Sequence, residues 1–178
     1  MSGHNKWSQI KHKKGVTDAK KSKIFSKLVK YISVEAKASK GDINSPGLRN
    51  AIEKARKANM PQDNIERAIK KASESSVVME AITYEAYGPG GVGLIIETLT
   101  DNRNRTAPEI KHLLSKNDSS LAGIGAVKWA FTKDPSANVG WTASTTVPLS
   151  DEDLGKLEKL VDDLEENDDV QEVYTNAE

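Results

Sequence analysis

The sequence predicts an α+β protein: an N-terminal basic arm and three-helix bundle, followed by a ferredoxin-like antiparallel sheet domain with two helices. Three observations predict it. Apolar residues recur at helical spacing in three short segments before residue 73. Beyond residue 77, strand-like runs alternate with helical ones in the order strand, helix, strand, strand, helix, strand. The charge also reverses at that boundary. Residues 1–73 carry eighteen Lys and Arg against six Asp and Glu, and residues 74–178 carry eight against twenty, in a chain of formal net charge zero. The expected divisions are an arm at 1–21, a bundle at 22–73 and a sheet domain at 77–178.

Residues 1–21 show no sustained apolar period, and Trp7 and Ile10 are the only large apolar residues before Val16. The first forty residues hold eleven lysines against Asp18 and Glu35. Two readings stand. Blocks of like charge tend to stay unfolded, which gives a solvated tail. Alternatively the arm orders on RNA or DNA, its lysines neutralising phosphates and Trp7 offering a flat face to a base.

From Ser22 the period turns helical. Phe25, Leu28, Val29, Ile32 and Ala36 share one face, and Gly41 ends the run. Pro46 opens a second helix behind the cap candidate Ser45. Its Leu48, Ile52 and Ala55 point inward, while Arg49, Lys54, Arg56 and Lys57 point outward, and Asn59 stops it. Pro61 opens a third, with Ile65, Ala68, Ile69 and Ala72 inward and Arg67, Lys70 and Lys71 outward. Short connections between short helices make a bundle. Ser73 to Ser76 is a polar linker.

The runs Val77 to Tyr87 and Val92 to Thr100 flank Gly88-Pro89-Gly90-Gly91, a hairpin signature. The glycines form a structural turn rather than a P-loop, because no Lys-Ser/Thr follows and a strand comes next. Thr106 followed by Glu109 reads as a capping box for a helix that buries Ile110, Leu113 and Leu114. Just before it, Asp101 to Arg105 has two readings. It is turn chemistry, or it sets two arginines beside a helix N-terminus to bind an anion. Val127, Trp129 and Phe131 alternate with polar neighbours as a half-buried strand. Lys133 to Asn138 is a turn, and Val139 to Val147 another strand, ended by Pro148. Ser150 caps a helix whose first turn is acidic and whose apolar face is Leu154, Leu157, Leu160, Val161 and Leu164. Val170 to Tyr174 is the last strand. Trp129, Phe131, Val127, Leu113 and Leu160 are expected in the core. Residues 150–178 hold twelve acids and two lysines, read as a solvated face; the alternative, functional reading is charge repulsion that keeps this part off nucleic acid.

Several function classes drop out. There is no cysteine, and hence no disulfide, thiol nucleophile or thiolate metal site. His4, His12 and His112 are scattered, and no HExxH, CxxC or G-x-S-x-G motif occurs. The expectation is no enzyme, no catalytic or metal-binding residues, no cofactor and no small-molecule substrate. No window suits a membrane span or a signal peptide, so a cytoplasmic protein without a membrane partner is expected. The basic half is the electrostatic footprint of a nucleic-acid binder. The candidate contacts are Lys6, Trp7, Lys11, His12, Lys13, Lys14, Lys20, Lys23 and Lys27, with Arg103 and Arg105 as a second contact. No recognition helix with base-reading side chains stands out, which leans toward ribosomal RNA or the ribosome as partner, with DNA the alternative.

Long motifs carry a resemblance. Gly3-His4-Asn5-Lys6-Trp7, Ile10-Lys11-His12-Lys13-Lys14 and Lys23-Ile24-Phe25-Ser26-Lys27 resemble the opening of the YebC family. So do the stretch Asn59 to Lys70, Tyr84 to Val92, Leu99 to Thr106, Ser144 to Leu149 and Asp169 to Ala177. The resemblance covers nearly the whole chain. It implies one of two roles: a ribosome-associated translation factor that relieves stalling, or a DNA-binding transcriptional regulator. Family members usually insert another small α/β domain between the strand near Phe131 and the one leading to Thr145. Here Lys133 to Asn138 closes that gap.

Overall fold

A computed structural model describes residues 6–13, 15–133 and 140–178, with the side chains of His12 and Lys13 outside the description. The chain divides into two compact units. One is Val16–Met79; the other joins Glu80–Glu178 to the first fifteen residues.

The first unit is three helices. Helix α2 (Asp18–Ala38) begins four residues earlier than its apolar period suggests, because Thr17 caps it by accepting the Lys20 N–H and Asp18 sits in the first turn. Gly41 takes a positive φ of 81° just past its end, and its N–H returns to the Ala36 carbonyl at 2.8 Å. Helix α3 (Pro46–Lys57) has Ser45 as cap and Pro46 in its first turn. Helix α4 (Gln62–Glu74) starts directly after Pro61. Ile32, Leu48, Ala51, Ala55 and Ile65 are buried at their junction, and alanine at many contact positions lets the backbones approach closely. Lys37 pins the departing chain by donating to the Ser75 and Val77 carbonyls.

The second unit is built on a four-stranded antiparallel sheet in the order β3-β1-β2-β6. Strand β1 (Glu80–Tyr87) pairs with β2 (Gly93–Thr100) across the Gly88 to Gly91 turn, where Gly90 adopts φ of 65°. Strand β3 (Ser120–Leu121) flanks β1, and β6 (Val170–Thr175) flanks β2. Helices α5 (Arg103–Lys116) and α6 (Asp151–Glu165) cover one face, where Leu94 and Ile96 meet Ile110, Leu114, Leu157 and Leu160. Ile95 points the other way, onto Val127, Ala130 and Phe131. Because β2 is covered on both sides, Leu94, Ile95 and Ile96 follow one another without polar alternation.

The α+β class and the helix-backed antiparallel sheet are those predicted, but the membership of the sheet differs. The segments expected as its two middle strands form a separate hairpin of β4 (Phe131–Lys133) and β5 (Trp141–Ala143), and β1 takes the place beside β2. Residues Lys128–Ala130 close a tight 3-10 turn, so the alternation that put Trp129 in the core fails. Val127 and Phe131 are buried as predicted, Leu113 is half-buried, and Trp129 is 69% exposed. The capping box at Thr106 is also absent. Asn102 caps α5 one turn earlier, accepting from the Asn104 and Arg105 N–H groups, and Thr106 lies buried within the helix. Of the turn expected from Lys133 to Asn138, Lys133 instead ends β4, and 134–138 lie outside the described residues.

Candidate nucleic-acid interface

The arm contains helix α1 (Lys6–Lys13), which belongs to the sheet unit. Of the two readings of the arm, the solvated tail does not hold for Lys6–Lys13, which are helical. Trp7 and Ile10, three residues apart, lie on one face of that helix. Trp7 is half-buried and packs against the core shared by α5, α6 and the sheet. Lys6 reaches Asp151 in the first turn of α6 at 3.1 Å, an exposed pair that directs the helix more than it holds it. The indole expected to meet a base is therefore engaged in part by the protein itself. Lys11 is exposed. The side chains of His12 and Lys13, and all of Lys14, lie outside the described residues.

Lys20, Lys23 and Lys27 lie half-buried along α2. The unit that contains them carries fourteen Lys and Arg against seven Asp and Glu. Arg49, Arg56 and Lys57 of α3 and Arg67, Lys70 and Lys71 of α4 are exposed. They occupy the positions that the apolar period leaves outward, so burial of the isoleucines and alanines forces the cations into solvent. Arg56 donates to Gln62 at 3.3 Å, and the Lys54 ammonium sits 5.4 Å from the Tyr31 ring centre.

The two arginines before α5 have different surroundings. Arg103 is exposed and stands 3.5 Å from Glu80, also exposed. Arg105 donates to Asp101 at 3.0 Å and to both oxygens of Asp169 at 2.8 and 3.1 Å. Asp169 is buried and also accepts from the hydroxyls of Thr106 at 2.7 Å and Thr100 at 3.3 Å. The Asp169 carboxylate, by hydrogen bond and charge, holds the Arg105 guanidinium still more firmly protonated than usual. Arg105 thus closes a buried carboxylate's shell, while Arg103 keeps its guanidinium at the surface.

Two further features were not legible in the sequence. Glu85 is buried on β1 and holds the loop before β4, accepting from the backbone N–H groups of Gly125 at 2.7 Å, Val127 at 2.9 Å and Lys128 at 3.0 Å. Burial pushes its carboxyl up, but those three donors and the Lys128 ammonium outweigh it and bring the pKa below the ordinary glutamate value. The second is the outward Trp129 on that same loop. Among the described residues, no group of acids and histidines is arranged to hold a metal ion, and no helix is long and apolar enough to cross a membrane.

Comparison with known proteins supplies the family. Residues 5–75 match the TACO1/YebC protein N-terminal domain. Residues 79–136 and 133–177 match the TACO1/YebC second and third domain, in two stretches. A probable transcriptional regulatory protein of Trichlorobacter lovleyi is 48% identical over 178 residues, covering 98% of this chain and 70% of its own length. One of the same description from Chlorobium luteolum is 38% identical over 239 aligned positions, covering 100% of this chain and 96% of its own. The crystal structure of a conserved hypothetical protein, Aq1575, from Aquifex aeolicus superposes with a TM-score of 0.82 at 33% identity, over 97% of this chain and 96% of that one. Matches of this extent, over both units, make the chain a member of the TACO1/YebC family.

Proposed function

We propose that this protein is a non-enzymatic, nucleic-acid-binding regulator of gene expression, working in the cytoplasm. The observation that carries the proposal is the excess of cations on the Val16–Met79 unit, exposed on α3 and α4 and continued in sequence by the lysines of the arm. Such a surface neutralises phosphates and releases counterions, and needs no base-specific geometry. Lys20, Lys23 and Lys27 belong to the same unit, and the arm residues Lys6, Lys11, His12, Lys13 and Lys14, with Arg103 and Arg105 of the sheet unit, are the further contacts of this reading. Trp7 anchors the arm. The relatives' description as probable transcriptional regulatory proteins supports DNA as the polymer and transcription as the level of action.

A second reading is a translation factor bound to ribosomal RNA. Its support is the kind of surface: cations spread over helices without a reader of base edges suit a large folded RNA. One experiment separates the two. The full chain is titrated with a promoter-bearing duplex, a scrambled duplex and ribosomes, at two salt concentrations. Preference for the promoter duplex that survives added salt supports the DNA reading. Equal, steeply salt-dependent binding to both duplexes with tighter binding to ribosomes supports the RNA reading. Binding to none of the three refutes the proposal.

A further inference from the structure

The loop before β4 presents an aromatic surface whose polar tips are already used. Trp129 is 69% exposed, and its indole N–H donates to the Ala126 carbonyl at 2.9 Å. Tyr87 is 44% exposed, and its hydroxyl donates to that same oxygen at 3.4 Å. Two rings on different elements therefore converge on one carbonyl and turn their faces and edges to solvent. Ile124, at the tip between Gly123 and Gly125, is fully exposed beside them in sequence. A single exposed apolar side chain is ordinary, but apolar residues gathered in one exposed patch mark interaction sites.

The platform is held rigid from beneath. The three backbone N–H groups that bind the buried Glu85 carboxylate belong to residues 125, 127 and 128, on either side of Ala126. The Lys128 ammonium, 3.9 Å from Glu85 and 5.9 Å from the Trp141 ring centre, is turned to that carboxylate and that ring. With its N–H committed internally, Trp129 has its π-face to offer, and the Tyr87 hydroxyl keeps only acceptor capacity. That suits a flat unsaturated ligand read by stacking rather than by directional hydrogen bonds.

From these contacts we infer that Trp129, supported by Tyr87, is a stacking site for an unpaired nucleobase, so that the protein engages single-stranded as well as duplex nucleic acid. This deepens the proposed function and rests on it. The site lies on the sheet unit, and its stacking energy is separate from the phosphate contacts of the helical unit. Stacking of one base on an aromatic side chain changes affinity by roughly 5- to 150-fold when the ring is removed.

The test uses the full chain, an unstructured RNA of about twelve nucleotides, within the usual span of such sites, and a duplex of matching length. Wild type, Trp129→Ala, Trp129→Leu and Trp129→Phe are compared across a salt series. Expected is a loss of about five-fold or more in single-strand affinity for the Ala and Leu variants. The salt slope and duplex affinity should stay unchanged, and Phe should keep most of the affinity. Leu serves where Ala lowers the melting temperature, since it keeps apolar bulk without a flat ring. Retained affinity in Leu would mark a greasy docking patch and overturn the inference, as would equal losses on single strand and duplex, or no loss in any variant. A wild-type chain that binds neither polymer removes the proposed function itself. One that binds both regardless of the ring removes only the stacking site.

Discussion

Replacing Glu85 tests whether a buried charge organises the loop that carries Trp129. In Glu85→Gln one carboxylate oxygen becomes an amide NH2. Oε2 accepts from Val127 and Lys128, and Oε1 from Gly125. If the amide oxygen keeps the pair of donors, its NH2 faces the Gly125 N–H; the reverse orientation strands two donors. A buried donor left without its acceptor costs about 1–3 kcal/mol. The exposed position of Gly125 lets water relieve part of this, so the lower half of that range applies to Gln. Glu85→Ala strands the Val127 and Lys128 donors as well, and with water reaching Gly125 and part of Lys128 about 2–4 kcal/mol is expected from the three losses. Urea unfolding at pH 7 measures both.

The pH dependence is the sharper check. The folded-state pKa of Glu85 is depressed, so its stabilisation is fully present above the unfolded value of about 4.3 and fades as pH falls through the folded value. The gap between wild type and Glu85→Gln should therefore be constant from pH 6 to 7 and shrink below about pH 4.3. A gap that persists unchanged into acid, or a Gln variant as stable as wild type at neutral pH, would show that the carboxylate is not what holds the loop.

Three other outcomes follow from the same structure. Trp7→Ala should lower the stability of the sheet unit by about 1–3 kcal/mol, less than the roughly 3–5 for a fully buried tryptophan; a variant that loses nucleic-acid affinity with unchanged unfolding would contradict the packed position of the indole. Asp169→Ala removes the shared acceptor of Thr100, Thr106 and Arg105 and should cost about 1.5–3 kcal/mol, whereas Arg103→Gln, at an exposed pair, should leave the urea midpoint near wild type. Gly90→Ala puts a Cβ at φ of 65° and into the Leu149 side chain, so a drop of about 1–2 kcal/mol from the backbone alone is expected in thermal melts.

Local signals located most of the elements. The helices at 46–57 and 62–74 begin where proline and serine mark their first turns, and the hairpin turns on its glycines. Such features depend on a few neighbouring residues, so periodicity and caps reveal them. The errors came where a distant partner overrode a local pattern. Thr106 resembled a cap, but Asp169, far along the chain, draws its hydroxyl inward. The 127–131 segment alternated like a strand, but Glu85 gathers the preceding N–H groups and a tight turn follows. Trp7 looked available because its covering surface is supplied by residues after 80.

The sequence alone determined the charge division, the helical bundle with its outward cations, the α+β class and the family. All of these rest on composition, short-range period or long matching motifs. Only the tertiary structure decided which strands share a sheet, which of two neighbouring arginines serves a buried carboxylate, and which tryptophan faces solvent. Those outcomes depend on the desolvation of side chains brought together from far along the chain, and a buried charge accepts whatever donors the fold delivers to it.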